Sequence, residues 1–165
     1  MDSRGKRGVF NTMGLFLSTF EKKIDKKGRV SVPAQFRTAL TDEAFGGIVV
    51  YPSFINSCVE ACGMTRIEKL SEGIDDLDPF SDERDAFATA VLGGSSQLQF
   101  DSEGRVTLPP ELLENAGITD GVVFIGKGKT FEIWEPKAFA KYSKDAREQA
   151  LKNRGSLKLG GKKDA

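Results

Sequence analysis

Arg29 and Arg105 are the side chains whose type and spacing most suggest chemistry on a partner. Each ends a short polar run, DKKGR at 25–29 and DSEGR at 101–105, and each leads into an alternating stretch that stops at proline, VSVP or VTLP. The two nonapeptides lie 76 positions apart and share Asp25/Asp101, Gly28/Gly104, Arg29/Arg105, Val30/Val106 and Pro33/Pro109. Five matches in nine at one displacement point to an internal duplication. A guanidinium is a planar, permanently charged fork of donors that fits phosphate oxygens and guanine edges. A turn needs the Asp and the Gly but has no need of Arg twice, so the repeated Arg points to a ligand. The plainer reading is a turn that leaves an arginine exposed.

The elements that would hold these arginines can be read from the same stretches. Asp at the first turn position and Gly at the fourth suit a type I turn continued by a left-handed residue. The Asp side chain can accept a backbone N–H across the turn and can also pair with the Arg. Arg29 and Ser31 then face out and Val30 and Val32 in, an alternation repeated by Arg105, Val106, Thr107 and Leu108. With preceding strands at 16–24 and 97–100, each copy predicts a hairpin.

A short helix follows at 34–40 and again at 110–116. The second should end on Gly117, with Ile118 folding back onto Leu113. Strand returns at 47–51, and at 121–134 as a hairpin turning over 126–129. Three longer helices are expected from apolar spacing. Phe54, Ile55, Cys58, Val59 and Cys62 mark one, and Phe80, Phe87 and Val91, capped by Asp78-Pro79, mark another. The third carries Phe139, Tyr142, Ala146 and Ala150. Neither copy has enough apolar residues for its own core, so the pattern predicts an α+β fold in which two half-barrels share one. Residues 1–12 and 151–165, polar and basic, read as disordered.

Composition excludes several classes of function. There is no His, so neither a Ser-His-Asp nor a Cys-His arrangement is available, and Cys58 and Cys62 alone make a poor zinc site. No phosphate-binding glycine loop is present, and the chain is not expected to be an enzyme or to carry a cofactor. No run of 18 apolar residues occurs, so no membrane span and a cytoplasmic protein are expected. Net charge is zero but unevenly spread. Residues 1–37 hold nine Lys/Arg against three Asp/Glu, residues 38–120 four against sixteen, and residues 121–165 eleven against five. Lys22, Lys23, Lys26, Lys27 and Arg37 surround Arg29 in sequence, a basic cluster suited to an anionic partner.

The paired D-x-x-x-R motifs, each followed by V-x-[VL]-P, are similar to those of the MraZ family of bacterial transcriptional regulators. So are FLSTFEKKIDKKGRVSVPAQFRTAL in the first half, and FDSEGRVTLPPELLENAGI and GVVFIGKGKTFEIWEPKAF in the second. The resemblance spans about residues 14–150. It implies two tandem AbrB-like swapped-hairpin units of the SpoVT/AbrB type, 14–70 and 95–150, forming an intrachain pseudo-dimeric barrel with peripheral helices. A connecting helix at 71–94, a basic arm at 1–12 and a basic tail at 151–165 complete that organisation.

The implied function is sequence-specific binding of double-stranded DNA at tandem short repeats ahead of the division and cell-wall gene cluster. A homo-oligomeric ring, associated with the nucleoid, would do the binding. Asp25, Lys27, Arg29, Asp101 and Arg105 carry over as the DNA-binding residues, with Lys22, Lys23, Lys26 and Arg37 as secondary contacts. Glu103 stands where the first motif has Lys27, so the two turns should contribute unequally. Residues 1–12 precede the usual family start near Met13, and the segment from Leu40 to Tyr51 is short for the family. Two rival readings are an AbrB-like antitoxin and a protein-interaction barrel using the acidic middle helices. The antitoxin fits less well, since such chains usually carry a single unit.

Overall fold

The computed structural model describes residues 14–160. The expected arm at 1–12 and the last five residues of the expected tail lie outside them. In chain order the strands are β1 (Thr19–Lys23), β2 (Arg29–Ser31), β3 (Gly47–Pro52), β4 (Val59–Cys62), β5 (Ser96–Gln99), β6 (Arg105–Thr107), β7 (Gly121–Gly126) and β8 (Phe131–Trp134). The helices are α1 (Ala34–Ala39), α2 (Met64–Asp75), α3 (Asp82–Phe87, running into a π-helical turn at Ala88–Leu92), α4 (Pro110–Ala116) and α5 (Pro136–Lys152). A 3₁₀ turn at Arg154–Ser156 follows α5, so the start of the tail expected to be disordered from 151 is instead a continuation of the helix through Lys152 and this turn.

The architecture is mixed α+β. Six antiparallel strands form an open sheet in the order β1-β7-β8-β4-β3-β5, and β2 and β6 form a separate two-stranded ribbon. The two expected hairpins keep their turns but not their pairing. Between β1 and β2 no ladder forms, only the isolated bridge Ile24↔Val30 just past the end of β1. β1 pairs instead with β7, Phe20 opposite Phe124, while β5 of the second copy pairs with β3 of the first, Leu98 opposite Ile48. β2 pairs with β6, centred on Val30↔Val106. Each copy thus completes its sheet with a strand of the other. A three-residue strand such as β2 gains too little from ladder bonds alone to fix its register, and burial of the Val30–Val106 pair in the shared core supplies the rest.

This exchange gives both copies one core. Val30, Val32, Phe36, Ile48 and Val50 from the first half pack in a single cluster with Val106, Leu108, Val122, Phe124, Phe131 and Ile133 from the second. Phe36 stands at its centre. Its ring meets Phe16, Phe20, Phe124 and Phe131 at centroid distances of 4.7–6.2 Å, mostly edge-on or tilted. Such geometry favours the ring quadrupoles beyond the area buried. The cap at Gly117 forms as expected. Its φ is +68°, Gly117 N donates to Glu114 O at 3.1 Å, and Ile118 N donates to Leu113 O at 2.9 Å.

Two helix expectations fail. The stripe Phe54–Cys62 is a loop at 53–58 followed by β4, which lies between β3 and β8. Strand alternation sends Val59 and Ala61 into the central core, an arrangement compatible with the same apolar spacing over so short a run. Cys58 and Cys62 are buried in separate clusters, Cys58 with Val123 and Trp134 and Cys62 with Val49, Tyr51 and Ile67. Burial pushes both thiols up to about 12. The second failure is the Asp78-Pro79 cap. Ser81 caps α3 instead, its Oγ accepting from Arg84 N at 3.1 Å, and Phe80 sits outside the helix at 95% exposure.

Phe36→Ala should lower unfolding free energy by about 3–5 kcal/mol, whereas Phe80→Ala should change it by less than about 0.5 kcal/mol. Urea unfolding of both variants checks this, and equal losses would contradict the shared core.

Candidate nucleic-acid interface

The site is assembled from the two turns and the ribbon between them. In the first turn Gly28 N donates to Asp25 O at 3.0 Å and Asp25 N to Arg29 O at 3.0 Å. The Asp25 carboxylate organises the rest. Its Oδ1 accepts from Lys27 N at 2.9 Å and Arg29 N at 2.8 Å, and its Oδ2 accepts from Arg29 Nε at 2.7 Å. The second turn repeats this bond for bond. Asp101 Oδ1 accepts from Glu103 N at 2.8 Å and Arg105 N at 2.9 Å, and Oδ2 from Arg105 Nε at 2.8 Å. Gly28 and Gly104 take φ of +83° and +76°, which an L side chain adopts only with strain.

Cross-copy bonds then lock the turns together. Leu108 N donates to Gly28 O at 2.8 Å, and Val32 N donates to Gly104 O at 3.1 Å. Each glycine carbonyl is therefore capped by the end of the other copy's strand. The sequence does carry a signal for this. Pro33 and Pro109 lack an N–H, so Val32 and Leu108 are the last donors before each short helix.

Register decides where the arginines point. Arg29 is opposite Thr107 and Ser31 opposite Arg105, with Val30 and Val106 paired between them. Partners directly opposite share a face, and residues two apart along a strand share it too. Val30 and Val106 are buried, so Arg29 and Arg105 both lie on the opposite, outward face. They are diagonal neighbours, about 7–8 Å apart at the backbone. Both are only partly buried, their side chains 36% and 28% exposed. In each guanidinium Nε is spent on the Asp, and the two terminal nitrogens make no hydrogen bond among the described residues. The Asp thus aims a fork whose remaining donors face solvent.

The other sequence candidates divide into two groups. Lys26 and Lys27 are exposed at the tip of the first turn, whereas Ser102 and Glu103 occupy the second. Glu103 Oε1 approaches Arg105 Nε at 3.7 Å, so the second fork sits in a less positive setting. Lys22 and Lys23 are on β1, in register with Val122 and Gly121. Arg37 is held differently. Its Nε donates to Val32 O at 3.1 Å, and its guanidinium packs under Gly104, where a Cβ would come within 2.8 Å of it. Arg37 of the first copy therefore supports the second copy's turn.

Titration reflects the same bonds. The Arg29 backbone N–H, then the Arg29 guanidinium and the Lys27 N–H, hold Asp25 below the ordinary 3.8. The Arg105 backbone N–H, with the Glu103 N–H and the Arg105 guanidinium, does so for Asp101. The Asp101 side chain in turn raises Arg105. No cluster of His, Cys, Asp and Glu suited to a metal occurs among the described residues, and no helix there is long and apolar enough to cross a membrane.

Fold and site together define a duplicated, interleaved α+β chain that presents two matched arginine turns on one ribbon. A model of a known family, described as "MraZ protein, putative antitoxin-like", matches residues 15–55 and 91–157. Proteins named "Transcriptional regulator MraZ" are close relatives. That of Pelagibacter ubique (strain HTCC1062) is 56% identical over 144 residues, covering 87% of this chain and 93% of the relative. Those of Rickettsia bellii (strain OSU 85-389) and Rickettsia canadensis (strain McKiel) are 54% and 51% identical, each covering 88% of this chain and 98% of the relative. The chain belongs to the MraZ family. Among solved structures, the solution structure of PHS018 from Pyrococcus horikoshii aligns over 72% of this chain and 87% of its own, with a TM-score of 0.30 and 15% identity.

Because their folded values are depressed, the two carboxylates stabilise the turns above the ordinary carboxylate range, and that contribution is lost as pH falls through the lower folded values. NMR titration should place the midpoints of Asp25 and Asp101 below 3.8. Arg29→Gln should leave Asp25 still depressed, since the backbone N–H of residue 29 remains. A midpoint at or above 3.8 in the unaltered chain would contradict the turn geometry.

Proposed function

We propose that this chain is a sequence-specific DNA-binding transcriptional regulator, not an enzyme, and that Arg29 and Arg105 read double-stranded DNA. The observation that carries the reading is the placement of both forks on the outward face of one ribbon, each braced by its own Asp. A two-stranded ribbon fits the major groove, which is about 12 Å wide. Terminal guanidinium nitrogens can bond bidentately to guanine O6 and N7, or to phosphate. Lys27 and Lys26 at the first tip, with Lys22, Lys23 and Arg37 behind, add sequence-independent attraction. Asp25 and Asp101 act as positioning residues, setting each fork before DNA arrives.

The interleaved pairing supports reading the chain as an internal pseudo-dimer of two swapped-hairpin units, 14–70 and 95–150, with 71–94 as connector. The names of its relatives support a regulatory role. The family resemblance extends this to tandem short repeats ahead of the division and cell-wall gene cluster, in a nucleoid-associated, cytoplasmic setting.

One ribbon makes few base contacts, and each good bidentate pair gives only about 1–3 kcal/mol of discrimination. Single chains should therefore bind weakly. Several ribbons held in one homo-oligomeric ring would gain about 10²–10⁴-fold on tandem sites through effective concentration.

Arg29→Glu or Arg105→Glu should abolish binding to duplex DNA carrying the repeats while the chain stays folded, with an unchanged far-ultraviolet circular dichroism spectrum and a cooperative melt. Retained affinity in a gel-shift titration would overturn the assignment. Affinity of the unaltered chain should also fall steeply with salt, its logarithmic slope growing by about 0.9 per phosphate contacted. A flat salt titration would mean that the basic residues are bystanders.

A further inference from the structure

Two exposed apolar features lie away from the arginine ribbon, and among the described residues neither is covered by another part of the chain. The first is a groove of about 240 Å³ on the outer face of the sheet. It is lined by buried Tyr51, Ile74 and Val91, by Leu70 of α2, and by the exposed Phe54, Ile55 and Phe87, with the Glu60 carboxylate as its one acidic lining group. Phe54 is 57% exposed and Phe87 44%, unusual for large rings grouped together. The helices and turn that frame the groove, 68–85, are acidic, with eight Asp/Glu against Lys69 and Arg84. Arg84 is itself engaged with Asp75 at 2.8 Å.

The second feature is the far end of α5. Its root is fixed, with Tyr142 stacked on Trp134 at 4.4 Å and Phe139 edge-on to the same ring at 6.0 Å. Lys127 Nζ adds a bond to Tyr142 Oη at 2.7 Å. Beyond Tyr142 the helix leaves the body, and every residue from 143 to 160 is exposed. Ten residues of helix carry Lys152 about 15 Å past that root. The departing segment is apolar as well as basic. Leu151, Leu157 and Leu159 are exposed, the last two almost completely, and Lys152, Arg154 and Lys158 lie among them with no acidic residue between 151 and 159.

We propose that residues 151–159 of one copy dock in the Tyr51–Phe87 groove of a second copy. Leu157 and Leu159 would fill the apolar slot, and Lys152, Arg154 and Lys158 would face its acidic frame. Charge complementarity favours this occupant over an acidic or neutral partner. The tail's own groove does not receive it, because residues 143–160 are exposed along their whole length. Donor and acceptor are different patches, so the contact is head-to-tail. Such contacts close into rings or continue as filaments. The inference rests on the self-assembly part of the proposed function and supplies the interface for it, separate from the DNA-facing ribbon.

The test uses two full-length variants, a groove variant, Phe87→Asp, and a tail variant, Leu157→Asp/Leu159→Asp. Mass is measured by light scattering after size-exclusion chromatography, and folding by circular dichroism. The unaltered chain should be oligomeric and each variant alone a folded monomer. Mixed one to one, they should form a heterodimer and stop there, since the mixture holds one intact tail and one intact groove. The charge variant Lys152→Glu/Arg154→Glu/Lys158→Glu should weaken assembly at least 10-fold. A monomeric unaltered chain, variants that assemble normally, or a mixture that stays monomeric would each overturn the proposal. Normal assembly without affinity for DNA would instead overturn the DNA reading and leave this interface standing.

Discussion

Everything at the candidate interface depends on one carboxylate in each turn. Asp25 accepts two backbone N–H groups on one oxygen and the Nε of Arg29 on the other, and Asp101 does the same for Arg105. A single side chain thereby closes the turn and fixes the guanidinium it presents. Charge assistance makes such bonds shorter and stronger than neutral ones, and the bonds here measure 2.7–2.9 Å. The salt bridges are partly exposed, so their value lies in orientation more than in stability. An arginine without this brace would have to lose its rotamer freedom on meeting a ligand.

The brace matters because the two turns are tied to each other. β2 and β6 pair across the duplication, and each glycine carbonyl is capped by the opposite strand's last amide. Arg37 reaches from the first copy to lie beneath Gly104 of the second. The corresponding position under Gly28 is taken by Leu113, whose Cδ1 would lie 3.8 Å from an added Cβ. The two turns match bond for bond, but their tips do not. Lys26 and Lys27 crown one turn, and Ser102 and Glu103 the other. In the proposed reading, a matched pair of forks fixes the register on DNA while unequal tips make the two halves of the contact distinguishable.

Sequence reasoning found the parts whose signal is local. The turn at 25–29, the alternation through Val30 and Val32, and the cap at Gly117 each follow from a few adjacent residues, and the structure contains them. It could not see which strands pair. β2 is three residues long, and nothing in Arg-Val-Ser says that its partner lies 76 residues away. The duplication hinted at a shared core, and only the family resemblance, with its swapped hairpins, implied an exchange such as that of β1 and β5. The 54–62 stretch misled because apolar residues over so few positions fit a helix stripe and a buried strand equally well. Phe80 misled for another reason. It has helical spacing from Phe87, but Ser81 caps α3 one residue later, and the ring is left outside. At the site, residue types alone identified the arginines and the possible ion pair with Asp. The common face of Arg29 and Arg105 required the register Arg29↔Thr107 and Ser31↔Arg105.

The most direct measurement is a structure of the full chain bound to duplex DNA carrying tandem short repeats. The account predicts the β2–β6 ribbon in a groove, with terminal nitrogens of both Arg29 and Arg105 within about 3.2 Å of base or phosphate acceptors. Asp25 and Asp101 should still hold each Nε. A complex in which DNA lies on another surface, or in which either guanidinium turns away from it, would contradict the account.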